Sequence, residues 1–264
     1  MTTVHAQSES QVDLATSPGR RRLAFWATAI GLGGVRVSAL IIALMHVVGP
    51  TAAISPVDLT ISEYALASSG WAFGLGILIL AGASFSLFAA AVISRRMPLL
   101  SPASVFATLW SAGLIVLVLV PKAPYAAPEG IGGDVHRYAS FVAFVSLPIA
   151  VLLVARSTAD RRPWAQWLGI ASLAWFVPMV VAMAYQGFTG GAAWWTVIPL
   201  GLIERGMAGT EIAAILVLAW PSARRTRSAP GHRGRSSDAG IGENELHDRA
   251  GSPATRAVAA QTPN

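Results

Sequence analysis

The stretch AFWATAIGLGGVRVSALIIALMHVV, residues 24–48, decides the fold. A helix needs about 20 mainly apolar residues to cross roughly 30 Å of hydrocarbon, and this run is long enough. It is continuously apolar rather than alternating, so it predicts a helix and not a barrel strand. Arg20, Arg21 and Arg22 stand just before it, as they would before a secretory leader. The run is too long for a leader's apolar core, and no small-x-small cleavage site follows, so it is read as a retained anchor.

Five further stretches read the same way, at 71–93, 102–120, 135–155, 164–185 and 199–220. The whole chain agrees with them. It is 54% hydrophobic and 12% charged, with a mean hydropathy of +0.56. A soluble domain of this size carries about 25% charged residues. The expectation is an all-α, polytopic membrane protein, a six-transmembrane-helix bundle over residues 23–220. Residues 1–22 and 221–264 are polar or rich in Ser, Gly, Pro, Ala and Arg. They cannot bury enough apolar surface to offset ordering, and are expected as disordered cytoplasmic tails.

The connecting segments set the orientation. Arg20–Arg22, Arg95 with Arg96, Arg156 with Arg161 and Arg162, and Arg224, Arg225 and Arg227 all fall on one side. The other side offers Lys122 and Arg137. The positive-inside rule then places both termini and the two Arg-bearing loops in the cytoplasm, for a multi-pass protein of the plasma membrane. The net charge of +6 comes from 18 Arg and one Lys. It follows from this topology and from attraction to anionic lipid, not from nucleic-acid binding. The preference for Arg, with abundant Ala, suggests a GC-rich bacterial genome. The chain has no cysteine, which excludes disulfides, thiolate metal sites and palmitoylation.

Three segments carry a family resemblance. They are ISEYALASSGW (61–71), HRYASFVAFVSLPIAVLLVAR (136–156) and GLIERGMAGTEIAAILVLAW (201–220). In this order they resemble the bacterial membrane family catalogued as domain of unknown function 998, over about residues 24–220. The resemblance implies a six-helix integral membrane protein and no established activity. Members often carry a Phe-Pro-x-Asp-like turn after the third span. Here Val120-Pro121-Lys122-Ala123 stands in its place, without the acid.

Function has to be sought in the polar residues at membrane depth. Near the outer ends lie His46, Ser62, Glu63, Asp134, His136, Glu204 and Arg205, with Asp58, Tyr64 and Arg137 close in sequence. Two imidazoles with several carboxylates can bind a divalent metal or move protons. Their spacing matches no H-E-x-x-H motif. The alternative is structural. Thr60-Ile61-Ser62-Glu63 fits a capping box, with Thr60 as N-cap and Glu63 reaching back, and opens a short interfacial helix. Asp134 would likewise meet the positive end of a helix.

Two charges lie deeper. Arg36 and Glu211 sit about 15 Å and 13.5 Å from Trp26 and Trp220, at 1.5 Å per residue. A charge at that depth costs about 2.5–3.5 kcal/mol even on the lenient scale, so the expectation is either a mutual ion pair or separate partners, backbone carbonyls or hydroxyls such as those of Ser84, Ser86 or Ser111. Gly31, Gly33, Gly34, Gly70, Gly74, and Gly82 with Ser86, have the small-residue spacing that lets helices approach closely. Trp194 and Trp195 suit the outer aromatic belt.

Three functions fit these residues. The first is binding of a lipid, small ligand or protein partner at an outer polar pocket, without nucleic acid. The second is a membrane-embedded hydrolase built on His46, Glu63, Asp134, His136 and Glu204. The third is a small-solute or proton-coupled transporter using Arg36 and Glu211. No cofactor, metal or oligomeric state is specified by the chain.

Overall fold

In the computed structural model the protein is described over residues 17–124, 130–157, 163–191 and 193–227. Its α-helices are α1 (Pro18–Met45), α2 (Gly70–Ile93), α3 (Pro102–Leu119), α4 (Ile131–Ser157), α5 (Pro163–Ala174), α6 (Phe176–Thr189) and α7 (Leu200–Arg227). Among the described residues there is no strand.

The helix ends follow local chemistry. Pro18, Pro102 and Pro163 open their helices, where a missing N–H is harmless and the fixed φ suits the first turn. Ser101 caps α3 by accepting from the Ser104 N–H at 3.2 Å. α2 stops at Arg95, which has φ 55°, while Arg95 and Arg96 N–H groups reach the Val92 and Ala91 carbonyls. That is a Schellman stop made without glycine. α5 and α6 are one rod broken at Trp175. Pro178 cannot donate to the carbonyl four residues back, and its ring crowds that carbonyl.

Helices α1, α2, α3 and α4 and the joined α5–α6 rod are each long and apolar enough to cross a membrane. α7 is also long, but Glu204, Arg205 and Glu211 interrupt its apolar run. From α1 to α5 each helix packs on the next, α6 continues from α5, and α7 closes the circuit against α5, α4 and α1. The centre is made of small and branched side chains, with Val35, Leu147, Ala150, Val151, Ala165 and Ala214 fully buried.

Gly31 and Gly34 let α1 and α2 approach closely. A Cβ at Gly34 would lie 2.7 Å from that of Ala83. Gly33, on the other side of α1, touches nothing. Arg20 extends from α1 to the last turn of α2 and donates to the Ile93 carbonyl at 3.1 Å.

Two helices reach into the segments expected as tails. α1 already begins at Pro18, and α7 continues past Trp220 to Arg227. The rest of both tails, and Arg161 and Arg162, lie outside the described residues.

Candidate polar site at the His46 end of the bundle

The connection from α1 to α2 folds back over the bundle. It contains two short 3-10 turns, Pro50–Ala53 and Ile61–Leu66. The second rests on the first turns of α2 and α7. Gly201 allows this: a Cβ there would run into the Leu59 carbonyl. The Leu202 N–H donates to the Val57 carbonyl at 3.0 Å, which fixes the loop on the helix.

Arg205 uses its whole guanidinium here. Nε donates to His46 Nε2 at 2.8 Å. One terminal nitrogen donates to the Leu59 and Gly201 carbonyls at 2.7 and 3.0 Å. The other donates to the Tyr64 hydroxyl at 3.1 Å, and the cation lies 5.6 Å from the Tyr64 ring centre. His46 accepts at Nε2, so its hydrogen is on Nδ1, where it donates to the Ile42 carbonyl at 2.7 Å. The His46 ring stands edge-on to Tyr64, centroids 5.2 Å apart. Tyr64 itself is fully buried.

Glu204 is buried beside Arg205. It accepts from the Ile61 N–H at 2.5 Å and from the Ser62 hydroxyl at 3.2 Å. This corrects the capping-box expectation. Thr60 makes no side-chain cap, and Glu63 does not reach back to it. The carboxylate that satisfies the start of the Ile61–Leu66 turn comes from α7, across the fold. Glu63 instead forms an ion pair with Lys122, which also donates to the Thr60 hydroxyl at 3.2 Å. Lys122 was missed as a site residue. The signal was there, because it is the one lysine in the chain and stands at a helix end.

His136, on α4, is buried against the residue that ends α3. Its Nδ1 donates to the Val120 carbonyl at 2.8 Å, and Nε2 has no hydrogen-bond partner among the described residues. Asp134 does not join the group. It is 59% exposed and pairs with Arg137 at 3.6 Å on the surface of α4. Asp58 is also local, accepting from Ser55 at 2.7 Å. His46, Ser62, Glu63, His136, Glu204 and Arg205 are therefore brought to one end of the bundle, and Asp134 is left outside it. The two cations and two carboxylates in this group are buried or half-buried and bonded to one another or to backbone. Among the described residues no three His, Asp or Glu side chains are arranged to hold a metal ion.

The expected Arg36–Glu211 pair is not formed. Arg36 is exposed on the outside of α1 and donates to the Leu32 carbonyl of its own helix at 3.3 Å. Glu211 is 1% exposed and faces α5, where the Ser172 hydroxyl donates to it at 3.2 Å. Matched depth did not ensure a match of faces. Arg36 is one residue beyond Val35, which is fully buried, and so points away from the bundle.

Beside the polar group lies an apolar groove of about 390 Å³. Ala65, Trp71, Phe73, Gly74, Leu75, Leu78, Leu117, Val118 and Pro121 line it, between the outer flanks of α2 and α3. One wall ends at Pro121, next to Lys122, and the other at Ala65, two residues from Glu63. Trp71, Leu75 and Leu78 are exposed, so the groove opens to the surroundings of the bundle.

The fold and its lipid-facing helices define a multi-pass helical membrane protein. The sequence model of the family described as "Protein of unknown function (DUF998)" matches residues 32–221, well over half of the chain, and the protein belongs to that family. No curated protein and no solved structure matches it.

Proposed function

We propose that the protein binds an amphipathic, lipid-class molecule at the outer face of the plasma membrane, with both of its termini in the cytoplasm. The groove between α2 and α3 carries this reading. It has mainly apolar walls, opens sideways, and its lining includes Pro121 and Ala65, close in the chain to Lys122 and Glu63, which pair with each other. An acyl chain suits the walls formed by Leu75, Leu78, Leu117 and Val118, and a polar headgroup suits the charged end. Ligand sites of this kind combine apolar walls with a few placed polar groups. A hydrolase is less well supported. Glu204, Glu63 and His46 are each held in hydrogen bonds or an ion pair, and Asp134 is turned away.

Photoactivatable phospholipid, added to vesicles containing the full chain, tests the reading. Label should concentrate on residues 65–78 and 117–121, and Gly74→Phe, which fills the groove, should remove it. Label spread evenly over all lipid-facing helices would refute it. Reporter fusions at residues 126 and 230 should report opposite sides of the membrane; agreement between them would refute the orientation.

A further inference from the structure

The outside of α1 carries a feature that lipid binding in the groove does not use. Leu23, Trp26, Ile30, Gly33, Val37, Leu40 and Leu44 are all exposed and recur at alternating spacings of three and four. That is the seam of a left-handed helix pair, sustained over three heptads. An apolar seam facing lipid is ordinary by itself. Two observations on this one are not. Gly33, in its middle, has open space where a Cβ would be, a recess into which a second backbone can settle. Arg36 flanks the seam, one residue before Val37, in the position that makes interhelical ion pairs.

Arg36 lies about 15 Å from Trp26 and about 13.5 Å from Met45 by helix rise, so neither interface is within reach of its side chain. Its hydrogen bond to the Leu32 carbonyl uses one terminal nitrogen of the guanidinium, and the residue is exposed. No acid pairs with it among the described residues.

We infer that this face of α1 docks a transmembrane helix of another protein, one bearing a carboxylate at mid-depth opposite Arg36. Charge complementarity selects the occupant. A second copy of this chain using the same face would bring two arginines together, since α1 contains no Asp or Glu. Glu211 cannot serve from elsewhere on a second copy, because it is buried.

The test uses the full chain in phosphatidylcholine vesicles. The chain has no cysteine, so Val47→Cys, just beyond α1, gives one labelling site. The probe is a synthetic Leu–Ala spanning helix with one central glutamate, compared with its glutamine twin by energy transfer. The glutamate helix should bind roughly tenfold more tightly than the twin, the scale of one uncompensated mid-membrane charge. Arg36→Leu should abolish that difference, and Gly33→Leu should weaken both helices. Equal binding of glutamate and glutamine helices would overturn the proposal. So would energy transfer between protein copies that Gly33→Leu removes, which would make the occupant a second copy. Arg36-dependent enrichment of anionic lipid with no helix discrimination would give the face to lipid instead.

Discussion

Arg205 donates from Nε to His46 Nε2 at 2.8 Å, and this bond ties the second turn of α7 to the residue that ends α1. The two are 159 positions apart in sequence. The same guanidinium holds Leu59, Gly201 and Tyr64, so one side chain joins the first helix, the last helix and the loop between α1 and α2. At membrane depth such a group has few alternatives to protein partners, because water is scarce there.

Arg205→Lys should therefore be a severe substitution and not a conservative one. An ammonium cannot reproduce the planar fork that reaches His46, Leu59 and Tyr64 together. A loss of about 2–3 kcal/mol is expected, the usual size for charged hydrogen bonds left unmade. Thermal unfolding in detergent checks this, and a lysine variant as stable as the parent would contradict the network.

Glu204 separates shape from charge. Glu204→Gln retains an oxygen for the Ile61 N–H, so it should cost about 1 kcal/mol or less. Glu204→Leu removes both acceptors and should cost about 1–3 kcal/mol. Protease susceptibility of the 46–69 loop should rise with the leucine variant and not with the glutamine one. The reverse order would show that charge, not hydrogen bonding, holds the loop.

Gly206 faces the Trp175 ring so closely that a Cβ would overlap it. Gly206→Ala should lower folded yield clearly, by the 1–3 kcal/mol typical of overpacking. Trp175→Leu on the same background should recover part of the loss. Failure to recover would place the cost elsewhere than the α5–α6 break.

Arg36 and Glu211 should behave independently. They face different neighbours, so Arg36→Leu and Glu211→Gln should combine additively within about 0.5 kcal/mol. A coupling above that value, measured by a double-mutant cycle on unfolding, would restore the direct pair.

Much of the architecture was legible because its cause is local. Continuous apolar runs of the right length specify lipid-crossing helices, and the predicted ends at 71–93 and 102–120 fall within a residue of α2 and α3. Even the fifth run reads as one span, although Pro178 breaks it at Trp175. The run at 199–220, expected as a sixth span, forms the helix Leu200–Arg227, which is not among the helices long and apolar enough to cross a membrane.

Rotation about the helix axis was not legible. Whether Arg36 faces Glu211 depends on which side of α1 packs against α2, and that is decided by Gly31 and Gly34 meeting Ala83. The gathering of His46, Ser62, Glu63, His136, Glu204 and Arg205 could be anticipated as residues at one end of the bundle. Their partners could not. Capping-box spacing predicted that Glu63 would satisfy its own turn, yet Lys122 took Glu63 and Glu204 took the Ile61 N–H. The sequence by itself determined which segments enter the membrane and which polar groups go with them, because transfer to lipid is a property of each segment. Only the tertiary structure decided who pairs with whom. A buried polar group takes the nearest partner with the right geometry, and in a bundle that partner usually belongs to another helix.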